Sequence, residues 1–185
     1  DISQSSANHV YQTIKNEATT KILDVSDNAE QLLMNIQKFN PDVIFNCLHG
    51  YFGEDGQIQS ILNYLKIPYT HSGVLTSAIL MNKIISKKLF QSLGIRSPEF
   101  LSEYNINNKE LKFPLIIKPV NGGSSYGLIK VNNKESLIKY LNKKKIKKCE
   151  MLIEEFIFGR ELTVGILENK ICGVMEIKFS EELYD

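Results

Sequence analysis

The chain has 185 residues, 43% of them hydrophobic and 23% charged, with 22 lysines and arginines against 21 aspartates and glutamates. That is an ordinary globular balance, with enough apolar material for a core that needs no disulfide or structural metal. A net charge of +1 argues against a protein built mainly to neutralise nucleic-acid phosphates. No apolar run reaches the length of a membrane span, and the polar start (Asp1, Ser3, Gln4, Ser5, Ser6) has no secretory-leader pattern. Cys47, Cys149 and Cys172 are far apart and read as three reduced thiols of a cytoplasmic protein. Neither they nor His9, His49 and His71 make a zinc spacing. Arg96 and Arg160 are the only arginines, which reads as composition bias.

Ser5 or Ser6 is expected to cap a first helix reaching about Lys15, with Val10 and Ile14 one turn apart. Lys21 to Val25 reads as a strand. A helix capped within Ser26 to Asn28 follows, with Leu32, Leu33, Ile36 and Phe39 on one face, and Pro41 ends it. Val43 to Leu48 reads as a buried parallel strand. After a glycine-rich loop (49–56), Ile58, Ile61, Leu62 and Leu65 mark a helix, and Ile67 to Thr70 a strand. Strands alternating with helices predict an α/β parallel sheet. One long helix is expected from about Thr76 to Leu93, with Gly94 beyond its end. Its Met81, Leu89, Phe90 and Leu93 read as core. Pro98 to Leu101 is extended and Asn105 to Glu110 a loop.

From there the pattern turns α+β. Pro114 to Pro119 and Leu128 to Val131 read as a hairpin around the loop 121–127. Lys134 to Lys148 is expected to be helical and Met151 to Phe156 a strand. Glu161 to Leu167 and Ile171 to Phe179 read as a second hairpin. The best domain boundary lies near Ser72 to Leu75, and both chain ends read as interior to a larger fold.

The strongest chemical feature is KPVNGGSSYG (118–127). A lysine ends a strand, and a Gly/Ser loop follows it. Converging N–H groups and two hydroxyls can wrap phosphate oxygens while the lysine neutralises them. No Gly-Lys-Ser/Thr opens a helix, so it is not a P-loop; the plainer alternative is an ordinary hairpin loop. His49 ends a strand at the carboxyl edge of the sheet, where α/β folds bind ligands. Asp55 also reads as a helix cap, and the adjacent Glu54 and Asp55 diverge too much for an acid/base pair. Glu154-Glu155-Phe156-Ile157 offers backbone groups beside an aromatic, which suits an adenine edge. Lys143 to Lys148 reads as a solvated helix end suited to the negative end of the helix dipole, in preference to an RNA-binding patch.

Five segments in order resemble the D-alanine–D-alanine ligase family of the ATP-grasp superfamily: NCLHGYFGEDGQIQ (46–59), IPYTHSGVLTSAILMNK (67–83), FPLIIKPVNGGSSYG (113–127), LIEEFIFGRELTVGIL (152–167) and MEIKFSEELYD (175–185). The resemblance implies a truncated Rossmann-like pre-ATP-grasp domain (1–73), a central ATP-grasp subdomain (74–155) and the start of a C-terminal one (156–185). It implies that ATP phosphorylates one D-alanine carboxylate, and that a second D-alanine attacks the acyl phosphate, for peptidoglycan synthesis. By position, Lys83 and Lys118 would meet the ATP phosphates. Gly123, Ser124 and Ser125 would close over the γ-phosphate, Ser124 also holding the first D-alanine. Glu154 and Ile157 would bind adenine through backbone groups beside Phe156, with Glu155 at a variable position next to them. Glu161 would bind the ribose, His49 would lie near the first D-alanine's carboxylate, and Tyr184 would fall in a covering loop.

His71 stands where the family usually has glycine, and Asn82 where it has aspartate. The resemblance places the family's first strand, with the glutamate that grips the first D-alanine, before Asp1. It places the ligands of two magnesium (or manganese) ions and the oxyanion-stabilising arginine after Asp185. The intact protein is therefore expected to be a cytoplasmic, magnesium-dependent homodimer using D-alanine and ATP, with no nucleic-acid or membrane partner. The 185-residue chain itself is expected to have weak activity or none. The rivals are a D-alanine–D-lactate or other carboxylate–amine ligase, and a non-catalytic nucleotide-binding remnant.

Overall fold

The computed structural model describes residues 2–25, 28–101, 110–123, 125–143 and 151–178. The chain forms two units, residues 1–86 with 121–123, and residues 87–120 with 124–185.

In the first unit, α1 (Ile2–Ile14) begins earlier than expected, so Ser5 and Ser6 lie inside it. α2 (Ala29–Phe39) is capped by Asn28, whose side chain accepts from Gln31 N at 3.0 Å. Glu30 in its first turn and Lys38 in its last complement the helix dipole. Asn40 ends it in the left-handed region, just before Pro41. Lys21 to Val25 is not a strand. Leu23 and Val25 instead pack on the core made by Leu32, Ile36, Ile58 and Leu62. The expected strand over Val43 to Leu48 shrinks to β1 (Ile44–Phe45). β1 pairs in parallel with β2 (Tyr69–Thr70), Ile44 opposite Tyr69. The pair is not buried on both faces, since Val43 and Phe45 are more than half exposed. α3 (Gln57–Tyr64) lies between them in the chain and buries Ile58, Gln59 and Leu62.

The expected long helix is two helices, α4 (Val74–Met81) and α5 (Lys83–Ser92). Asn82 breaks it by adopting extended backbone, and its Oδ1 accepts from Ile84 N and Ile85 N, both at 3.1 Å. A residue that accepts its own helix's first N–H groups starts a helix and does not continue one. Ser86 Oγ donates toward Ile79 O at 3.0 Å and Asn82 O at 2.8 Å, and Asn82 O also accepts from Ser86 N at 2.9 Å, so the break is bridged from α5. Leu89 and Leu93 are exposed, so they are not core as expected.

The second unit holds a four-stranded antiparallel sheet of β3 (Phe100–Leu101), β4 (Leu115–Pro119), β5 (Ile129–Val131) and β6 (Met151–Glu155), in the order β3-β6-β4-β5. α6 (Lys134–Lys143) sends Leu137 into a core with Leu115, Ile117, Val131 and Ile153. The expected helical stretch 144–148 lies outside the described residues. Side chains alternate between faces in a strand, so Leu115 and Ile117 face this core while Ile116 and Lys118 face away. β7 (Glu161–Leu167) and β8 (Lys170–Ile177) form the second hairpin, with an irregularity at Gly165/Ile166.

Candidate functional site

The loop after β1 is tied from within. Asn46 Nδ2 donates to Gly53 O at 2.8 Å, and Asn46 Oδ1 accepts from Leu48 N at 3.1 Å. Gln59, with no exposed surface, donates through Nε2 to the same Gly53 O at 2.7 Å. These bonds curl the loop so that His49 and Glu54 face each other, His49 Nδ1 lying 3.8 Å from Glu54 Oε1. Glu54 Oε2 accepts from Gly50 N at 2.6 Å. On its other side His49 meets α1: Ser6 Oγ shares a hydrogen bond with Nε2 at 3.1 Å, and His49 N donates to Ser3 Oγ at 3.1 Å. Asp55 accepts from Phe52 N, Gln57 N and Gln57 Nε2. Burial pushes its carboxyl up, but the hydrogen bonds from Phe52 and Gln57 outweigh that and hold it below the usual aspartate value. The expected acid/base divergence holds: Glu54 points to His49 and Gly50, Asp55 to the start of α3.

A cavity of about 270 Å³ opens in the same unit, with Glu54, His71, Ser77, Met81 and Gly122 among its walls. His71 Nδ1 lies 3.3 Å from Gln59 Nε2. His71 has φ 141°, a backbone conformation that favours glycine. Lys83 Nζ donates to Gly122 O at 2.7 Å.

The second unit holds a buried ion cluster. β4 and β6 pair with Ile116 opposite Glu154 and Lys118 opposite Leu152. Lys118 and Glu154 therefore share a face on a cross-strand diagonal, a span within a lysine's reach. Lys118 Nζ pairs with Glu154 Oε1. Lys87, from α5, pairs with Glu154 Oε2 at 2.7 Å and donates to Pro98 O at 2.8 Å. Glu154 is 4% exposed and Lys87 7%, so both are interior charges that exist because they are paired.

Beyond β6, Phe156 and Phe158 meet edge to face with centroids 4.7 Å apart. Lys130 Nζ sits 4.3 Å from the Phe156 centroid. Glu155 Oε1 accepts from Glu99 N at 3.0 Å. Ile157 is exposed, and Glu161 opens β7 opposite Ile177. Ser125 is described, with φ 54°. Ser124 and Tyr184 lie outside the described residues.

The structure thus joins Lys118 to Glu154, His49 to Glu54, and Lys83 to the loop carbonyl of Gly122. Sequence reasoning missed Lys87, Gln59 and Asn46. In the string only spacing distinguishes Lys87 from its neighbour Lys88, since Lys83 and Lys87 fall one helical turn apart. Among the described residues no three His, Cys, Asp or Glu side chains gather as a metal cluster. The described residues do not themselves make a magnesium site. No helix among them is long and apolar enough to cross a membrane.

Comparison with known proteins gives a consistent answer. The family model for the D-ala D-ala ligase C-terminus matches residues 89–185, and that for the N-terminus matches 20–72. A D-alanine–D-alanine ligase of Pelagibacter ubique is 46% identical over 171 residues, covering 87% of this chain and 55% of the relative. The crystal structure of the Bacillus anthracis ligase is 32% identical with a TM-score of 0.78, covering 100% of this chain and 62% of that one. The same ligase complexed with ATP gives 30% identity and 0.74, covering 99% of this chain and 63% of that one. The chain spans about half the length of the curated relatives it matches. The mixed helix and sheet architecture is that of the ATP-grasp ligases.

Proposed function

This chain belongs to the D-alanine–D-alanine ligase family, and we propose that the protein carrying it joins two D-alanines with ATP. The γ-phosphoryl passes to a carboxylate oxygen of the first D-alanine as the bond to the β,γ-bridging oxygen breaks and ADP leaves. The amine of the second D-alanine attacks the acyl carbon, loses a proton and expels phosphate. Little covalent chemistry falls to the protein here, so positioning and charge neutralisation are its work.

The observation that carries the reading is Lys118. It ends β4 just before the Gly/Ser loop, and a buried carboxylate holds its ammonium. Lys83 and Lys118 are assigned to the phosphates, with Gly123, Ser124 and Ser125 as the covering loop. Glu154 and Ile157 are assigned to adenine through their backbones, Phe156 to the flank of the base, and Glu161 to the ribose. His49, oriented by Glu54 and α1, is assigned to the first D-alanine's carboxylate, and Tyr184 to the loop over the site. Glu155 is given no direct adenine contact, because its carboxylate is engaged by Glu99 N. By family resemblance two magnesium ions would supply charge neutralisation of the phosphoryl group, and none of the residues assigned above would hold them. The same reading makes the whole protein a cytoplasmic homodimer.

The test is ATP binding and D-alanine-dependent ADP release by the purified chain with Mg²⁺, beside Lys118→Ala. ATP affinity is expected to fall by about tenfold or more in the variant. A folded chain that binds no ATP, or binds it equally well without Lys118, refutes the reading. A second reading, a nucleotide-binding protein without ligase activity, predicts ATP binding with no ADP release in response to D-alanine.

A further inference from the structure

The ion cluster under β4 and β6 has two cations and one carboxylate, and the cations are not equivalent. The Lys87 side chain is 8% exposed and that of Lys118 23%. Lys87 is also held by Pro98 O, so its ammonium has one hydrogen-bond acceptor and one ion-pair partner inside the unit. Lys118 is the outer partner, and it is the one assigned to the phosphates.

That assignment poses a physical problem. A lysine that binds polyphosphate must turn away from Glu154. If Lys118 were the sole cation on Glu154, turning away would strand a buried carboxylate without a countercharge, which is strongly unfavourable. With Lys87 in place, the departure of Lys118 leaves Glu154 still ion-paired with Lys87 at 2.7 Å, so the buried pair stays neutral. We propose that Lys87 is a positioning residue of the nucleotide site: it neutralises Glu154 so that Glu154 aims Lys118 without trapping it, leaving its ammonium releasable to a polyphosphate. This rests on the reading that Lys118 meets ATP phosphates.

The experiment measures the affinity of the full chain for ATP and for adenosine, in wild type, Lys118→Met, Lys87→Met, Lys87→Arg, Glu154→Gln and Lys87→Met/Glu154→Gln. Folding of each is checked by far-UV circular dichroism. Lys118→Met is expected to weaken ATP binding by about tenfold or more, which upholds the underlying reading. Lys87→Met is expected to weaken ATP by about tenfold while adenosine stays within about twofold, because the lost charge matters only where phosphate competes with Glu154 for Lys118. Lys87→Arg keeps the charge and is expected within about threefold of wild type. Removing the competing carboxylate in the double variant restores ATP affinity to a similar range. A merely structural lysine would weaken adenosine and ATP together and would show no such rescue.

Two failures are distinguishable. If Lys87→Met binds ATP like wild type while Lys118→Met is weakened, the inference alone is overturned. If Lys118→Met binds ATP like wild type, the reading fails and the inference with it. Should Lys87→Met not fold, Glu154→Gln decides: the inference expects ATP affinity at least equal to wild type, and a fall as large as that of Lys118→Met overturns it.

Discussion

Replacing Gly53 by alanine tests whether close approach, and not turn conformation, shapes the loop that carries His49. A Cβ built on Gly53 would lie 2.3 Å from Leu48 Cβ and 2.8 Å from the Leu48 carbonyl carbon. Neither neighbour is the free end of a flexible side chain, so the backbone must give. Gly53 O accepts from Asn46 Nδ2 at 2.8 Å and from the buried Gln59 Nε2 at 2.7 Å, and a shifted loop weakens both bonds. Overpacking of this kind costs about 1–3 kcal/mol, and each impaired hydrogen bond about 1 kcal/mol. The expected loss is therefore about 3–5 kcal/mol, read from urea unfolding followed by far-UV circular dichroism. Gly50→Ala is the companion variant. Nothing lies within 4 Å of its Cβ, but its φ is +74°, so its cost is the left-handed penalty of about 1–2 kcal/mol alone. If Gly53→Ala proves no worse than Gly50→Ala, the steric account of the loop is wrong.

At position 71 the usual order of alanine over glycine should invert: with φ at 141°, His71→Gly is expected to be more stable than His71→Ala by about 1 kcal/mol, and equal midpoints would refute backbone strain there. Asn82→Ala removes the acceptor for Ile84 N and Ile85 N and should cost about 1 kcal/mol in the same unfolding assay, whereas Asn82→Asp should cost little. Asp55 gives a pH dependence with a definite sign. Its folded pKa lies below the unfolded value, so its contribution is present above the unfolded pKa and is lost as pH falls through the folded one. Stability measured from about pH 6 down to about pH 3 should fall less steeply in Asp55→Asn than in wild type, and parallel curves would show that Asp55 does not contribute.

The order of elements was legible in the string where local signals agreed with one another. Apolar spacing and the Asn40-Pro41 stop mark α2. The Glu168-Asn169-Lys170 turn between apolar runs marks the β7–β8 hairpin, and its two leading residues take left-handed φ values as such a turn needs. Pro114 to Val131 announces antiparallel pairing, and β4 pairs with β5 accordingly. The reading failed where a single polar residue overrides a periodic pattern. Asn82 interrupts an apolar repeat that otherwise continues from α4 into α5, and its capping role depends on which N–H groups fold toward it. Lys21 to Val25 has strand-like residues, yet a strand is defined by its partner, and that stretch has none among the described residues.

For the site, sequence alone determined which chemical groups are available: a lysine ending a strand before a Gly/Ser loop, a histidine in a glycine-rich loop, and a pair of glutamates before an aromatic. Their order along the chain is a one-dimensional property, and it carried the resemblance to a family. Tertiary structure alone decided which glutamate does what. Adjacent residues in a strand point to opposite faces, so Glu154 turns inward between Lys87 and Lys118 while Glu155 turns to Glu99 N. It also decided which lysine matters. Lys87 and Lys88 are identical letters side by side, and only the folded chain buries one of them against a carboxylate 67 positions away along the sequence. Charge pairing acts through space, over distances that a sequence does not contain.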